Sequence, residues 1–85
     1  MTYRILIERT ARKEIQKLNP ADQNTIIQAI KKLAEEPRPI GCKKLKGRTA
    51  WRVRAGDYRI IYEIQDNLLI VTIITVGHRR DVYKK

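Results

Sequence analysis

Apolar and polar side chains alternate through the central part of the chain. From residue 51 to residue 64 an apolar or aromatic side chain occupies every second position on either side of Gly56-Asp57. A period of two is typical of β-strands with one buried face, and glycine at the first central position favours a two-residue type II′ turn. The pattern therefore predicts a β-hairpin over residues 51–64.

A two-residue turn also fixes which residues of the hairpin lie opposite each other. The predicted pairs are Ala55 with Tyr58, Arg54 with Arg59, Val53 with Ile60 and Trp51 with Tyr62. One face is then apolar, and the other carries Arg52, Arg54 and Arg59. Like charges directly across a strand pair destabilise a sheet, so this arrangement indicates a site for an anion. The alternative is three solvated arginines on an open face.

Two helices are predicted between a first strand over residues 3–8 and the hairpin. Thr10 is the predicted N-cap of a short helix, and Asn19-Pro20 supplies the N-cap and first position of a second helix that ends near Glu35. The apolar faces at helical spacing are Ala11, Ile15 and Leu18 in the first helix, and Ile26, Ile27, Ile30, Leu33 and Ala34 in the second. Each helix therefore has one face suited to packing on a sheet.

The last strand is predicted over residues 68–76, after a tight turn at Asp66-Asn67 that places Ile74 opposite Arg59. Residues 43–45 add a short edge strand. The expected fold class is α+β in two layers, with an N-terminal strand, a helical hairpin and then a mostly antiparallel sheet of three to four strands. A chain of 85 residues is expected to form a single domain, residues 1–85.

The predicted sheet face opposite the helices combines the arginines with aliphatic side chains. These are Ile61, Ile70, Ile74 and Val76. Exposed apolar surface beside a charge cluster is typical of a surface that a partner covers. If the last strand continues past Val76, His78 lies on the same face and approaches Arg59.

Charge and composition narrow the classes of partner. A formal net charge of +10 on 85 residues indicates an anionic partner, such as nucleic acid or an acidic protein. Candidates for nucleic-acid contact outside the hairpin are Lys43, Lys44, Lys46, Arg48 and Arg80. Cys42 is the single cysteine, which is typical of a reducing cytoplasm. The chain shows no signal peptide and no membrane-spanning run, so we expect a cytoplasmic protein without membrane contact.

The candidate chemistry is cationic and needs no metal or cofactor. Fixed guanidinium groups can stabilise the charge that develops when the 2′-hydroxyl of RNA attacks the neighbouring phosphate. His78 is the side chain that titrates nearest neutral pH and is the candidate for proton transfer; the alternative is an exposed turn residue. Tyr83 is a candidate for stacking on a base, and its alternative role is to cover the edge of the sheet.

Three blocks of the sequence together resemble the RelE toxins of the RelE/ParE superfamily. They are Leu45-Lys46-Gly47, residues 51–62 and residues 76–83. The resemblance implies a RelE-like fold, the toxin of a type II toxin–antitoxin system, and a RelB-like antitoxin whose acidic amphipathic segment would cover the aliphatic face. RelE-type members cut messenger RNA in the ribosomal A site without metal. The alternatives are a ParE-like gyrase inhibitor without nuclease activity and an RNA-binding domain without catalysis.

The resemblance also implies roles for individual residues. Arg52 and Arg54 match the basic strand pair that grips RNA and acts at the scissile phosphate. Arg59 matches the arginine that contacts this phosphate, and Arg79 matches the arginine that assists the leaving group. Tyr83 matches the tyrosine that holds or stacks on the substrate. Because arginines stand here where lysines also occur in the family, the identity of the general base stays open.

Overall fold

The computed structural model describes residues 2–47 and 49–78. Within these ranges the elements are β1 (Arg4–Ile7), α1 (Arg9–Gln16), α2 (Pro20–Glu35), β2 (Lys43–Lys44), β3 (Ala50–Ala55), β4 (Tyr58–Gln65) and β5 (Ile70–His78). The predicted functional residues Arg48, Arg79, Arg80 and Tyr83 lie outside the described residues.

The strands form one sheet in the order β1-β5-β4-β3-β2. Strand β1 runs parallel to β5, and the other neighbours are antiparallel. The predicted α+β class is confirmed. The sheet has five strands because the N-terminal strand joins it beside β5, at the edge opposite the short strand β2.

The start of α2 is the one that the sequence predicts. Asn19 is the N-cap and accepts a hydrogen bond from the Asp22 amide at 2.8 Å, and Pro20 occupies the first helical position. The start of α1 differs from the prediction. Its N-cap is Glu8 rather than Thr10, because Glu8 still donates its amide to the Ile73 carbonyl at 2.9 Å and so passes directly from strand into helix.

The β3–β4 hairpin has the predicted register at all four positions. Gly56 has a φ of 61°, and Asp57 does not share this left-handed conformation, which is the combination that a type II′ turn requires. The prediction for the hairpin is therefore confirmed, including the placement of Arg54 directly opposite Arg59.

The turn between β4 and β5 is longer than predicted. Strand β5 begins at Ile70, opposite Gln65, and Arg59 lies opposite Gly77 rather than Ile74. The connection takes four residues, 66–69, because Leu69 adopts a φ of 56° and its amide donates back to the Asp66 carbonyl at 3.3 Å. The predicted two-residue turn at Asp66-Asn67 and its register are wrong.

A β-bulge in β5 changes which of its side chains face the helices. Tyr62 lies opposite Ile73, whereas Ile61 lies opposite Thr75, so β5 carries one extra residue at this point. Ile73 and Val76 are consequently both in the core, at 0% and 2% exposure. The prediction that Val76 lies on the open face is wrong for this reason.

The core lies between the helices and one face of the sheet. Its buried members are Ala11, Ile15, Ile26, Ile30, Leu33, Ala55, Ile60, Tyr62, Val71, Ile73 and Val76. The ring of Tyr62 is fully buried, and its hydroxyl donates to the Pro37 carbonyl at 2.7 Å. Burial raises the pKa of this hydroxyl, which therefore stays protonated and anchors the segment after α2 to the sheet.

Candidate functional site

Four basic side chains belong to the sheet face that points away from the helices. Arg54 and Arg59 are directly opposite each other in β3 and β4, and Lys43 in β2 is opposite Arg52 in β3. Because their strand neighbours Val53 and Ile60 pack toward the core, strand alternation directs these four residues to the other side. Together with Gly41 and Val53 they line a cleft of about 170 Å³.

A nearly buried apolar side chain lies beside this cleft. Ile61 lies opposite Arg52 in the register and is 6% exposed, while Arg52 and Arg59 are themselves half-buried and Arg54 is exposed. Charges beside buried apolar groups are less well screened than charges in open water. The cleft therefore concentrates positive potential where an anion such as a phosphate can bind.

The other predicted nucleic-acid contacts divide between two places. Lys43 lines the arginine cleft, whereas Lys44 and Lys46 line a second cleft of about 760 Å³ with Ala50 and Glu63. Lys43 and Lys44 are neighbours in a strand, so alternation directs them to opposite faces. The adjacency of the two lysines in a predicted strand is visible in the sequence and predicts their separation.

His78 is on the helical side of the sheet, away from the arginine cleft. It lies opposite Tyr58, and the two rings meet edge to face with centroids 5.7 Å apart and planes at 77°. The Tyr58 hydroxyl in turn donates to the Asp22 carboxylate at 3.0 Å, and this hydrogen bond raises the pKa of Tyr58. The prediction that His78 shares a face with Arg59 is wrong, because the bulge reverses the alternation of β5 before His78.

The predicted antitoxin-binding side chains differ in accessibility. Ile70 and Ile74 are half-buried, Ile61 is almost fully buried, and Val76 belongs to the core. Leu6 is 45% exposed and lies opposite Thr72 of β5, on the side of β1 away from the core. The sequence interpretation missed Leu6, although the alternation of residues 4–7 predicts its direction, because nothing local indicates that β1 joins the sheet beside β5.

Arg38 forms an interaction centre that the sequence interpretation also missed. Its guanidinium binds both oxygens of Asp66, at 3.1 and 2.8 Å, and lies 5.1 Å from the centre of the Trp51 ring. The Tyr3 hydroxyl donates to the same carboxylate at 2.7 Å. These hydrogen bonds, that from Arg38 foremost, lower the pKa of Asp66 to about 2. The cluster joins four segments of the chain at the end of the sheet that carries the β4–β5 turn.

Residues 2–47 and 49–78 contain neither a metal-binding cluster nor a membrane-spanning helix. No group of three or more histidine, cysteine, aspartate or glutamate side chains there is arranged to hold a metal ion. In the same part of the chain no helix is long and apolar enough to cross a membrane.

Comparison with known proteins assigns the chain to a family. The family model described as ParE toxin of type II toxin–antitoxin system, parDE, matches residues 5–83. The chain belongs to the RelE/ParE family of type II toxins. This toxin is 34% identical to the toxin RelG of Mycobacterium tuberculosis over 100% of both chains. It is 29% identical to the mRNA interferase toxin RelE of Escherichia coli K12, over 100% of this chain and 94% of that one.

The fold of the toxin is also that of a solved relative. In the crystal structure of the toxin–antitoxin complex RelBE2 from Mycobacterium tuberculosis, one chain matches with a TM-score of 0.84 and 30% identity, covering 95% of each chain. The resemblance to RelE toxins that the sequence indicates is therefore confirmed, for the family and for the fold.

Proposed function

We propose that this toxin is an endoribonuclease that cuts messenger RNA on the ribosome without a metal ion. The observation that carries the proposal is the placement of Lys43, Arg52, Arg54 and Arg59 around one cleft on the open face. The relative from Escherichia coli that is named mRNA interferase toxin RelE supports RNA as the substrate.

In the proposed reaction the 2′-hydroxyl of RNA attacks the adjacent phosphorus and the 5′-oxygen leaves. The products are a cyclic phosphate and a 5′-hydroxyl, and the phosphorane between them carries extra negative charge. Arg54 and Arg59 stand on neighbouring strands directly opposite each other and line the same cleft, so we expect both guanidinium groups to reach one bound phosphate group. Arginine stays protonated in proteins, and its role here is to stabilise charge rather than to accept a proton.

The proton of the attacking 2′-hydroxyl is assigned to Tyr83, because the other residues that the resemblance places at the substrate are arginines, which stay protonated. His78 packs on Tyr58 at the helical side and does not line the arginine cleft. The resemblance to RelE toxins gives Arg79 the role of assisting the leaving group and Tyr83 that of holding the substrate. Both residues follow β5, whose Gly77 is the register partner of Arg59.

The proposed inhibitor of the toxin is an antitoxin segment that is acidic and amphipathic, as in a RelB-like protein. The relative from Mycobacterium tuberculosis with the same fold was solved as a toxin–antitoxin complex. Ile70 and Ile74 present half-buried aliphatic surface on the sheet that also carries the arginine cleft. The apolar face of such a segment would bury these aliphatic side chains, and its acidic face would neutralise the arginines of the cleft.

A second candidate function is inhibition of DNA gyrase, since the matching family model is described by the name ParE. The nuclease is favoured because the cleft combines four basic side chains around a space that suits a phosphate group. Gyrase inhibition requires a binding surface but no groups that stabilise charge at a reacting phosphate.

Primer extension on a translated message separates the two functions. Discrete cuts within codons that appear with the toxin, and vanish when ribosomes are omitted, support the nuclease. Arg59→Ala serves as the inactive variant, and Arg12→Ala removes the same charge from the exposed surface of α1. Inhibition of DNA supercoiling without any cuts would refute the nuclease and support the gyrase inhibitor.

A further inference from the structure

Helix α2 contacts the tip of the β3–β4 hairpin on the side of the sheet opposite the arginine cleft. The Tyr58 hydroxyl donates to Asp22 Oδ2 at 3.0 Å, and a Cβ atom placed on Gly56 would lie 3.5 Å from Thr25 Cγ2. Asp22 is itself held, since its amide donates to the Asn19 Oδ1 at 2.8 Å and the Asn19 Nδ2 donates to Asp22 Oδ2 at 3.3 Å. The hairpin tip therefore rests on a capped and hydrogen-bonded helix end.

The same tyrosine also links the hairpin to β5. Tyr58 lies opposite His78 in the register, and their rings are in edge-to-face contact. The next residue, Arg59, lies between Arg54 on one side and Gly77 on the other. Tyr58 thus ties α2 to β5, one of the two strands that flank Arg59.

This support lies next to a pair of like charges in the hairpin. Arg54 and Arg59 form the second pair from the turn, and like charges directly across two strands repel. A hairpin end with such a pair is prone to open locally. Asp22 and Tyr58 hold it from the helical side, so the hydrogen bond between them leaves the arginine cleft accessible to substrate.

We propose that Asp22 and Tyr58 are positioning residues for Arg54 and Arg59. They keep the hairpin tip closed against charge repulsion, so that both guanidinium groups are in place before phosphate binds. The catalytic part of this inference rests on the proposed nuclease function, whereas the closure of the hairpin tip is a property of the fold.

Tyr58→Phe tests the proposal, because it deletes the hydrogen bond to Asp22 and keeps the ring against His78. We expect kcat for RNA cleavage to fall about tenfold with KM within about twofold, since positioning acts on the reacting geometry rather than on substrate capture. Asp22→Asn keeps an oxygen acceptor and is expected to retain most of the activity. Asp22→Ala is expected to match Tyr58→Phe, and the double variant to be no slower than either.

Tyr3→Phe is the matched control. It removes an equivalent hydroxyl–carboxylate hydrogen bond, from Tyr3 to Asp66 at 2.7 Å, at the other end of the sheet. We expect it to leave kcat unchanged. An equal loss of kcat in Tyr3→Phe and Tyr58→Phe would overturn the proposal, because the effect would then follow from general loss of stability.

Amide hydrogen exchange tests the closure of the hairpin tip without any enzyme assay. In Tyr58→Phe we expect faster exchange confined to residues 54–59 and 76–78, and in Tyr3→Phe no change there. Unchanged exchange at the hairpin tip in Tyr58→Phe overturns the proposal. A wild-type protein that cleaves no RNA would refute the proposed function instead, and the exchange experiment would still decide whether Asp22 and Tyr58 hold the tip.

Discussion

The hairpins β3–β4 and β4–β5 share one strand but are determined by different parts of the chain. The first closes through Gly56-Asp57, and every predicted pair is observed. The second closes through residues 66–69, and its register and its alternation both differ from the prediction. The arginine cluster depends on the first hairpin and lies where the sequence predicts it, whereas the placement of His78 and Val76 depends on the second.

Contacts between distant parts of the chain shape the second hairpin. Asp66 at its turn binds Arg38, which is 28 positions away, and Tyr3, which is 63 positions away. Beyond the bulge, the Val76 amide donates to Glu14 Oε1 of α1 at 2.9 Å, across 62 positions. A site built on one short turn is therefore encoded locally, while the strand beside it takes its form from the rest of the fold.

Removing Arg59 is expected to give the largest functional effect in either hairpin. Loss of one fixed donor to a developing oxyanion costs about 2.7–4 kcal/mol of transition-state stabilisation, a rate loss of about 10²–10³. The variant is expected to stay folded, because Arg54 loses the like charge opposite it and the core residues beside Arg59 are unchanged. Single-turnover cleavage and urea unfolding of Arg59→Ala measure both effects. Arg12→Ala serves as the control. Cleavage at the wild-type rate by folded Arg59→Ala would contradict the assignment of Arg59 to the catalytic site.

Glu14→Ala tests whether α1 maintains the irregular part of β5. The substitution leaves the partly buried Val76 amide without its acceptor, so we expect the free energy of unfolding to fall by about 1–3 kcal/mol. Glu14→Gln keeps an oxygen acceptor at the same position and is expected to lose less. Urea unfolding of both variants makes the measurement, and equal losses would mean that the Val76 hydrogen bond contributes nothing specific.

The elements that were predictable from sequence depend on residues that are close together in the chain. The Asn19 cap and the Gly56-Asp57 turn act over a few positions, and so does the strand alternation that collects Arg52 and Arg54 on one face. The parallel placement of β1 beside β5 was not predictable, because no local pattern identifies the partner of an N-terminal strand. The bulge was equally hidden, since the Glu14 carboxylate that binds beside it belongs to a helix.

A charge placed on the open face beside β4 tests the proposed antitoxin surface. Ile74→Glu adds a carboxylate at a half-buried position of β5, and we expect affinity for the cognate antitoxin to fall about tenfold or more. Ala21→Glu, on the exposed surface of α2, controls for the added charge. Isothermal titration with the antitoxin measures both variants. Unchanged affinity for Ile74→Glu would place the antitoxin on the helical side, where it would block the ribosome by bulk.

The smallest expected effect concerns acid, at the turn of the second hairpin. Hydrogen bonds from Arg38 and Tyr3 lower the pKa of Asp66 to about 2, whereas the pKa of an aspartate in an unfolded chain is about 3.9. Since the folded pKa is the lower one, the stabilisation from this carboxylate is fully present above about pH 4 and is lost as the pH falls toward about 2. We expect a ¹³C NMR titration of the wild type to give a midpoint of about 2 for the Asp66 carboxylate. In Arg38→Ala the midpoint is expected to shift toward about 3.9. Arg38→Lys keeps the charge without the two-pronged contact, so its midpoint is expected between the other two. A wild-type midpoint of about 3.9 would show that the Arg38 contact does not hold the turn in solution.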